Sequence, residues 1–217
     1  MKIFKALTEA NIKAINEAIA ETKWVDGKAT ALGAAKDKKS NFQITREDPV
    51  FNKKVLPLVV KVHTSPVIRS YTFFHKLISP RLASYYDGGN YDWHVDVALM
   101  EHERTDLSFT IFLTDKSEYE GGEMRVQIGA GQVASFKGKK GEIFIYPSGL
   151  LHKVEPVTSG ERRVIVGWLR SKVKLHEHRE RLYNLNVELG KFRKELGNEK
   201  TEALNTLYHQ MVRDYSE

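Results

Sequence analysis

Between Ile68 and Val173 the sequence is cut into short apolar runs by turn residues at regular intervals, and this punctuation is the tightest constraint on the fold. The pattern predicts strands over Tyr71–Phe74, Leu82–Tyr86, Leu107–Leu113, Met124–Ile128, Ile143–Tyr146 and Val164–Leu169. Between them lie Asp87-Gly88-Gly89-Asn90, Gly121-Gly122, Lys137 to Gly141, Pro147-Ser148-Gly149 and Ser159-Gly160. These are residues that accept the φ values turns demand. Many short strands at such spacing predict an all-β sandwich or barrel.

On either side the apolar period becomes helical. Thr8 can cap a helix whose Ile12, Ile15 and Ile19 fall at i, i+3 and i+7. Asp48-Pro49 places a cap before a proline at the first helical position, and Val50, Val55, Leu58, Val59 and Val62 follow on one face. Pro57 inside that stripe predicts a kink or break. Trp24 to Ile44 reads as a surface loop with a short strand over Asn41–Thr45. Near the end, Leu182, Leu185, Leu189, Phe192 and Leu196 form one stripe, Gly197 stops it, and Leu204, Leu207 and Met211 form another. The expected organisation is therefore an N-terminal helical segment over residues 1–67, a β core over 68–173 and C-terminal helices over 174–217, together making one structural domain. The fold class is mainly β with flanking helices (α+β). A chain of 217 residues suffices for such a core.

Composition removes several kinds of chemistry. The chain has no cysteine, so disulfides and thiolate-held zinc or iron–sulfur centres are excluded, and any metal must rest on His, Asp and Glu. No apolar run approaches the roughly 20 residues that cross a bilayer, and the start is too short for a signal-peptide core. The expectation is a cytoplasmic protein with no membrane partner. The net charge is +6, but Lys and Arg are interleaved with Glu and Asp, without a run of five or more like charges. This argues for a solvated basic surface over a nucleic-acid partner.

The strongest local signal is His94-Val95-Asp96. On an extended segment, residues i and i+2 share a face, so imidazole and carboxylate can converge. Alone, the pair reads equally as a hydrogen-bonded surface couple. A second isolated histidine, His152, follows Tyr146-Pro147-Ser148. Two His and one carboxylate form the facial triad of non-haem iron(II) oxygenases, with open positions for further ligands; zinc hydrolases can use the same residue types. Ten residues beyond His152 stands Arg162, in Gly160-Glu161-Arg162-Arg163-Val164. It opens a strand apolar on both faces, with Val164, Val166 and Trp168 on one and Ile165, Gly167 and Leu169 on the other. An arginine there must meet an anion. Its planar fork suits the far carboxylate of a dicarboxylic keto acid, or a carboxylate of the chain itself. Alternation does not separate Arg162 from Arg163 in this role. His102, in the charged stretch Glu101 to Arg104, is a further candidate for substrate contact.

Across nearly its whole length the chain resembles the PKHD-type hydroxylases, prolyl-hydroxylase-like iron(II)/2-oxoglutarate oxygenases of bacteria and phage. The resemblance rests on Trp24 to Thr30, Asn41-Phe42-Gln43, Tyr86-Asp87-Gly88-Gly89 leading to His94-x-Asp96, and Arg104-Thr105-Asp106-Leu107-Ser108. It continues through Tyr119-Glu120-Gly121-Gly122-Glu123, Tyr146-Pro147-Ser148, Leu151-His152-x-Val154-x-Pro156-Val157-Thr158, Gly160-x-Arg162 and Leu207-Tyr208-His209. It implies a double-stranded β-helix, or jelly roll. It also implies iron(II) on His94, Asp96 and His152, with 2-oxoglutarate held by Arg162 rather than Arg163. Dioxygen is the co-reactant, and L-ascorbate is admitted as a reductant. Tyr86 resembles the tyrosine that reaches the cosubstrate, and Trp168 is placed in the pocket lining or in plain core. Ser108, Thr110 and Phe112 share one face of a neighbouring strand, Phe112 standing where related hydroxylases carry a tyrosine.

The implied reaction hydroxylates an unactivated C–H bond and releases succinate and CO2. The leading expectation for the substrate is a peptidyl proline. A free amino acid, a siderophore-like metabolite and nucleic acid are alternatives with the same chemistry. A zinc hydrolase and a non-enzymatic iron or 2-oxoglutarate sensor are alternatives with different chemistry. The sequence leaves a homodimer open.

Overall fold

The computed structural model describes residues 1–20, 22–30 and 38–217, so part of the expected Trp24–Ile44 loop lies outside the described residues. In chain order the strands begin with β1 (Lys2–Lys5), β2 (Val25–Asp26), β3 (Lys39–Ser40), β4 (Phe42–Ile44), β5 (Phe74–Tyr85), β6 (Asn90–His94), β7 (Leu99–Met100) and β8 (Glu103–Arg104). They continue with β9 (Leu107–Phe112), β10 (Tyr119–Gly121), β11 (Met124–Gly129), β12 (Gln132–Phe136), β13 (Glu142–Pro147), β14 (His152–Val154), β15 (Val157–Gly160) and β16 (Arg162–Ser171). The α-helices are α1 (Glu9–Ile19), α2 (Leu56–Thr64), α3 (Pro66–Thr72), α4 (His176–Leu196) and α5 (Asn198–Tyr215).

A seven-stranded sheet runs in the order β1-β13-β9-β16-β5-β4-β2, and a five-stranded sheet in the order β12-β11-β14-β6-β3. Side-chain alternation in the larger sheet feeds two separate cores. Ile111, Ile143, Ile165 and Leu169 turn to one face and pack with Ile15, Phe51, Val59 and Ile68 from the helical segment. Ala83, Phe112, Phe144 and Val164 turn to the other and meet Met124, Val126 and Val154 of the smaller sheet. Two sheets closed on one interior, backed by helices, form the expected jelly roll. The N-terminal segment also supplies four short strands, β1 to β4, that extend both sheets.

The helix starts follow their capping chemistry. Thr8 Oγ1 accepts from Asn11 N, while Asn11 Oδ1 accepts from Thr8 N, and Ile12, Ile15 and Ile19 are buried. Asp48 Oδ1 accepts from both Val50 N and Phe51 N. The break expected at Pro57 is a widened turn. Phe51–Val55 is π-helical, with Leu56 N donating to Phe51 O, before α2 resumes ordinary pitch. Widening the preceding turn accommodates a ring that lacks an N–H.

Two strand expectations need correction. Tyr71 and Thr72 end α3 and do not begin a strand. Ser65-Pro66 starts a short helix that buries Ile68, Tyr71 and Thr72, so tertiary packing overrides the aromatic strand propensity. Leu82–Tyr86 is the end of the twelve-residue β5. That strand tolerates Pro80 because the register against β16 shifts between Val166 and Trp168, leaving Ser79-Pro80 as a bulge opposite Gly167. A Cβ on Gly167 would lie 2.9 Å from the Phe109 ring and 3.0 Å from Pro80 Cα.

At the C-terminus α4 and α5 pack as a pair around Gly197, whose φ is 84°. Leu182 and Leu189 are buried, but Phe192, Leu196, Leu204 and Leu207 remain exposed. The end of the chain returns to the core, where Glu217 N donates to Lys172 O. No described helix is long and apolar enough to cross a membrane.

Candidate active site

Strands β6 and β14 pair antiparallel with His152 directly opposite His94. Directly opposed residues project to one face, which brings the two rings to 4.2 Å between centroids. Asp96 lies two residues past the end of β6, its Oδ1 3.9 Å from His94 Nε2 and its Oδ2 3.7 Å from His152 Nε2. One donor atom from each residue falls within 4.8 Å of the other two.

Each imidazole is oriented by a backbone carbonyl. His94 Nδ1–H donates to Asp92 O at 2.7 Å and His152 Nδ1–H to Leu150 O at 2.8 Å. That tautomer leaves both Nε2 lone pairs facing the carboxylate, the state a metal ligand needs. Burial and the neighbouring His152 push the His94 pKa down to about 4, so its ring is neutral near pH 7. Tyr91 stacks on His94 at 3.5 Å and holds the ring plane. Ser108 Oγ donates to Asp96 Oδ2 at 2.6 Å, fixing the carboxylate, and lies 2.8 Å from Ser148 Oγ. Two imidazoles presenting Nε2 and one braced carboxylate suit a divalent ion of the iron or zinc type.

The three residues line one wall of a cleft of about 950 Å³, counting its open mouth. Arg162 stands in the same cleft and is the largest fully buried side chain of the described residues. Its Nε and Nη1 have no hydrogen-bond partner among the described residues. The rings of Tyr85 and Phe112 flank its guanidinium at 5.1 and 5.7 Å. Gly122, at φ 66°, makes room for it, since a Cβ there would come within 3.0 Å of Arg162 Cδ. A buried guanidinium with unused donors is costly unless an anion completes it, so the cleft fits a carboxylate ligand beside a metal. Arg163 turns the other way and binds Glu161 and Asn16.

Tyr86 is not brought to this cleft. It is exposed and stacked on Phe42 at 5.3 Å. Tyr85 pairs with Arg162 across β5 and β16 and points inward, so its neighbour must point out. Trp168, Ser108 and Thr110 line the cleft, and Phe112 sits behind Arg162. His102 occupies the exposed turn between β7 and β8, outside the lining. Sequence reasoning missed Tyr85, Tyr91, Lys39, Gln43 and Arg81, all cleft-lining. Two adjacent tyrosines carry no parity signal until the β5–β16 register is known.

Residues 80–170 match the family described as the 2OG-Fe(II) oxygenase superfamily. A PKHD-type hydroxylase from Alteromonas mediterranea is 33% identical over 97% of this chain and 96% of its own length. Another from Aliarcobacter butzleri is 33% identical over 100% of this chain and 99% of its own. Among solved structures, a Pseudomonas putida prolyl-4-hydroxylase superposes with TM-score 0.56 at 16% identity, covering 78% of this chain and 91% of that one. A Trichoplax adhaerens prolyl hydroxylase gives TM-score 0.58 at 11% identity over 77% of this chain and 82% of that one, a likeness of fold. The chain belongs to the PKHD-type hydroxylases of the 2OG-Fe(II) oxygenase superfamily and is a 2-oxoglutarate-dependent dioxygenase that uses Fe(II), 2-oxoglutarate and dioxygen.

Proposed function

We propose that the chain hydroxylates an unactivated C–H bond with release of succinate and CO2, iron(II) being held by His94, Asp96 and His152 and the far carboxylate of 2-oxoglutarate by Arg162. The observation that carries this reading is the fully buried Arg162, with Nε and Nη1 unpartnered among the described residues, in the same cleft as the three candidate ligands. When bound, iron(II), 2-oxoglutarate and dioxygen supply the oxidising chemistry; the protein supplies placement and exclusion of water.

Each residue has a distinct share. Asp92 O and Leu150 O hold the two imidazoles in the metal-binding tautomer. Ser108 keeps Asp96 from rotating away, and its hydroxyl proton stays on Oγ, 2.6 Å from the carboxylate it serves. Tyr85 and Phe112 hold the Arg162 plane from either side, so its fork meets a carboxylate already oriented. Tyr85, not Tyr86, is the tyrosine placed to face the cosubstrate. Burial raises the Tyr85 hydroxyl pKa, which keeps it a donor. A peptidyl proline is the first substrate to test, because the fold neighbours include prolyl hydroxylases. The fold alone does not choose it.

The test is an anaerobic titration of metal-free protein with iron(II) and then 2-oxoglutarate, followed by the visible charge-transfer absorption of a keto acid chelated to iron. We expect the band in the wild type and its weakening in Arg162→Met. Iron binding without any band would refute the assignment of the cosubstrate.

A further inference from the structure

The cleft carries a second, separate set of cationic groups that the reading above leaves unused. Arg81 lines it and is only 8% exposed. Its side chain is built into place. Ser79, in the bulge of β5, adopts φ 43°, and both its hydroxyl and its carbonyl accept from Arg81, at 2.6 Å to Nη2 and 3.3 Å to Nε. The guanidinium lies against the Trp168 ring at 5.1 Å. Among the described residues Ser79 is its sole hydrogen-bonding partner, and no carboxylate forms an ion pair with it. The Trp168 indole Nε1–H is likewise buried without a partner there. Lys39, 6% exposed, enters the cleft from β3, with its ammonium 5.4 Å from the Tyr91 ring centre.

Arg81 is rooted well away from Arg162 along the sheet. It pairs with Val166 across the sheet, and Arg162 stands four residues earlier on β16, roughly 13 Å along the strand. Resting on the assignment of Arg162 to 2-oxoglutarate, we propose that Arg81, with the Trp168 indole N–H and Lys39, forms a subsite for a carboxylate on the substrate being hydroxylated. A planar guanidinium braced along one edge and stacked on an indole presents its remaining donors to a carboxylate with little entropy left to lose. The three groups line the same cleft as His94, Asp96 and His152, so a substrate held there by its carboxylate keeps its neighbouring carbons near the metal. Burial and the charge of Arg81 lower the Lys39 pKa to about 7, and a bound anion would reverse that pressure. The substrate class is therefore a carboxylic acid, such as an N-acyl amino acid or a peptide ending in a free carboxylate, in preference to an uncharged internal peptide segment.

The experiment uses the full chain loaded anaerobically with iron(II) and 2-oxoglutarate. A panel of N-acetyl amino acids, proline included, is titrated against the matching amides, and perturbation of the charge-transfer band gives apparent affinities. Carboxylates should bind about tenfold or more tightly than their amides, the size expected for charge-assisted hydrogen bonds. Arg81→Gln and Lys39→Gln should each erode that preference while the 2-oxoglutarate band itself survives. Equal response to acids and amides, or no response across the panel, overturns the subsite. So does loss of the band in Arg81→Gln, which would assign Arg81 to the cosubstrate. Arg81-dependent binding of a mononucleotide or short single strand without carboxylate binding would replace it with a phosphate site. Absence of the band in the wild type overturns the Arg162 reading instead, a separate result.

Discussion

The two faces of the seven-stranded sheet bury comparable side chains under opposite rules. Toward the helices, Phe109, Ile111, Ile143 and Leu169 meet Phe51, Val55 and Val59 in an apolar cluster. Toward the second sheet, Ala83, Val164 and Phe144 share the interior with Arg162, Arg81, Ser108, His152 and Lys39. The helix-side face contributes stability, while the inner face spends part of it on polar groups held ready. Even the histidines divide. His63 is fully buried on the helix side between Phe74 and Phe109, with no hydrogen-bond partner for either ring nitrogen among the described residues. His94 and His152 each have one nitrogen tied and the other presented. Burial alone therefore does not mark a ligand; a braced tautomer facing a carboxylate does.

The largest expected effect comes from breaking the inner face at its centre. Asp96→Ala should reduce 2-oxoglutarate turnover to background and abolish tight iron binding, with circular dichroism unchanged. Retained succinate release in that variant would remove the triad assignment. Arg162→Met comes next. Loss of a buried charged partner costs about 2–5 kcal/mol of binding, so 2-oxoglutarate affinity should fall by at least tenfold. The cofactor-free protein should nevertheless become more stable to heat, because a buried charge with two unpartnered donor nitrogens is gone. A lower melting temperature would mean that Arg162 is satisfied within the protein.

The helix-side face should respond in the reverse way. Ile143→Ala empties a buried site and should cost about 2–5 kcal/mol in urea unfolding while the band still forms in folded protein. His63 sharpens the contrast through pH. Burial lowers its folded pKa from 6.5 to about 3, so below pH 6.5 the unfolded state takes up a proton that the folded state refuses. Stability should be full above pH 6.5 and fall by at most about 1.4 kcal/mol per pH unit as pH drops toward 3. His63→Phe should flatten that acid limb in unfolding titrations; an unchanged slope would place the proton uptake elsewhere. The smallest effect belongs to the outward tyrosine. Tyr86→Phe should leave 2-oxoglutarate affinity within twofold of wild type, while Tyr85→Phe should measurably weaken it. The opposite order, loss in Tyr86→Phe and none in Tyr85→Phe, would return the cosubstrate contact to Tyr86.

Much of the architecture was legible in the sequence because it follows local rules. Periodicity and turn residues set the β core between flanking helices, and Thr8 and Asp48 marked the helix starts through their own hydrogen bonds. His94, Asp96 and His152 were legible as candidate metal ligands from residue type and spacing in a chain without cysteine, whereas iron, and Arg162 in preference to Arg163, came from the family resemblance. Other features depended on pairing between distant segments. The β5–β16 register turned Tyr85 inward and Tyr86 outward, and packing drew Tyr71 into α3. The Ser79-Pro80 bulge and the β3–β6 pairing carried Arg81 and Lys39 into the same cleft from segments some forty residues apart. A strand's pattern says that its side chains alternate, but only its hydrogen-bonded neighbour fixes which set faces the interior. For this chain, then, the sequence by itself named the chemistry, and the tertiary structure decided which further side chains surround it.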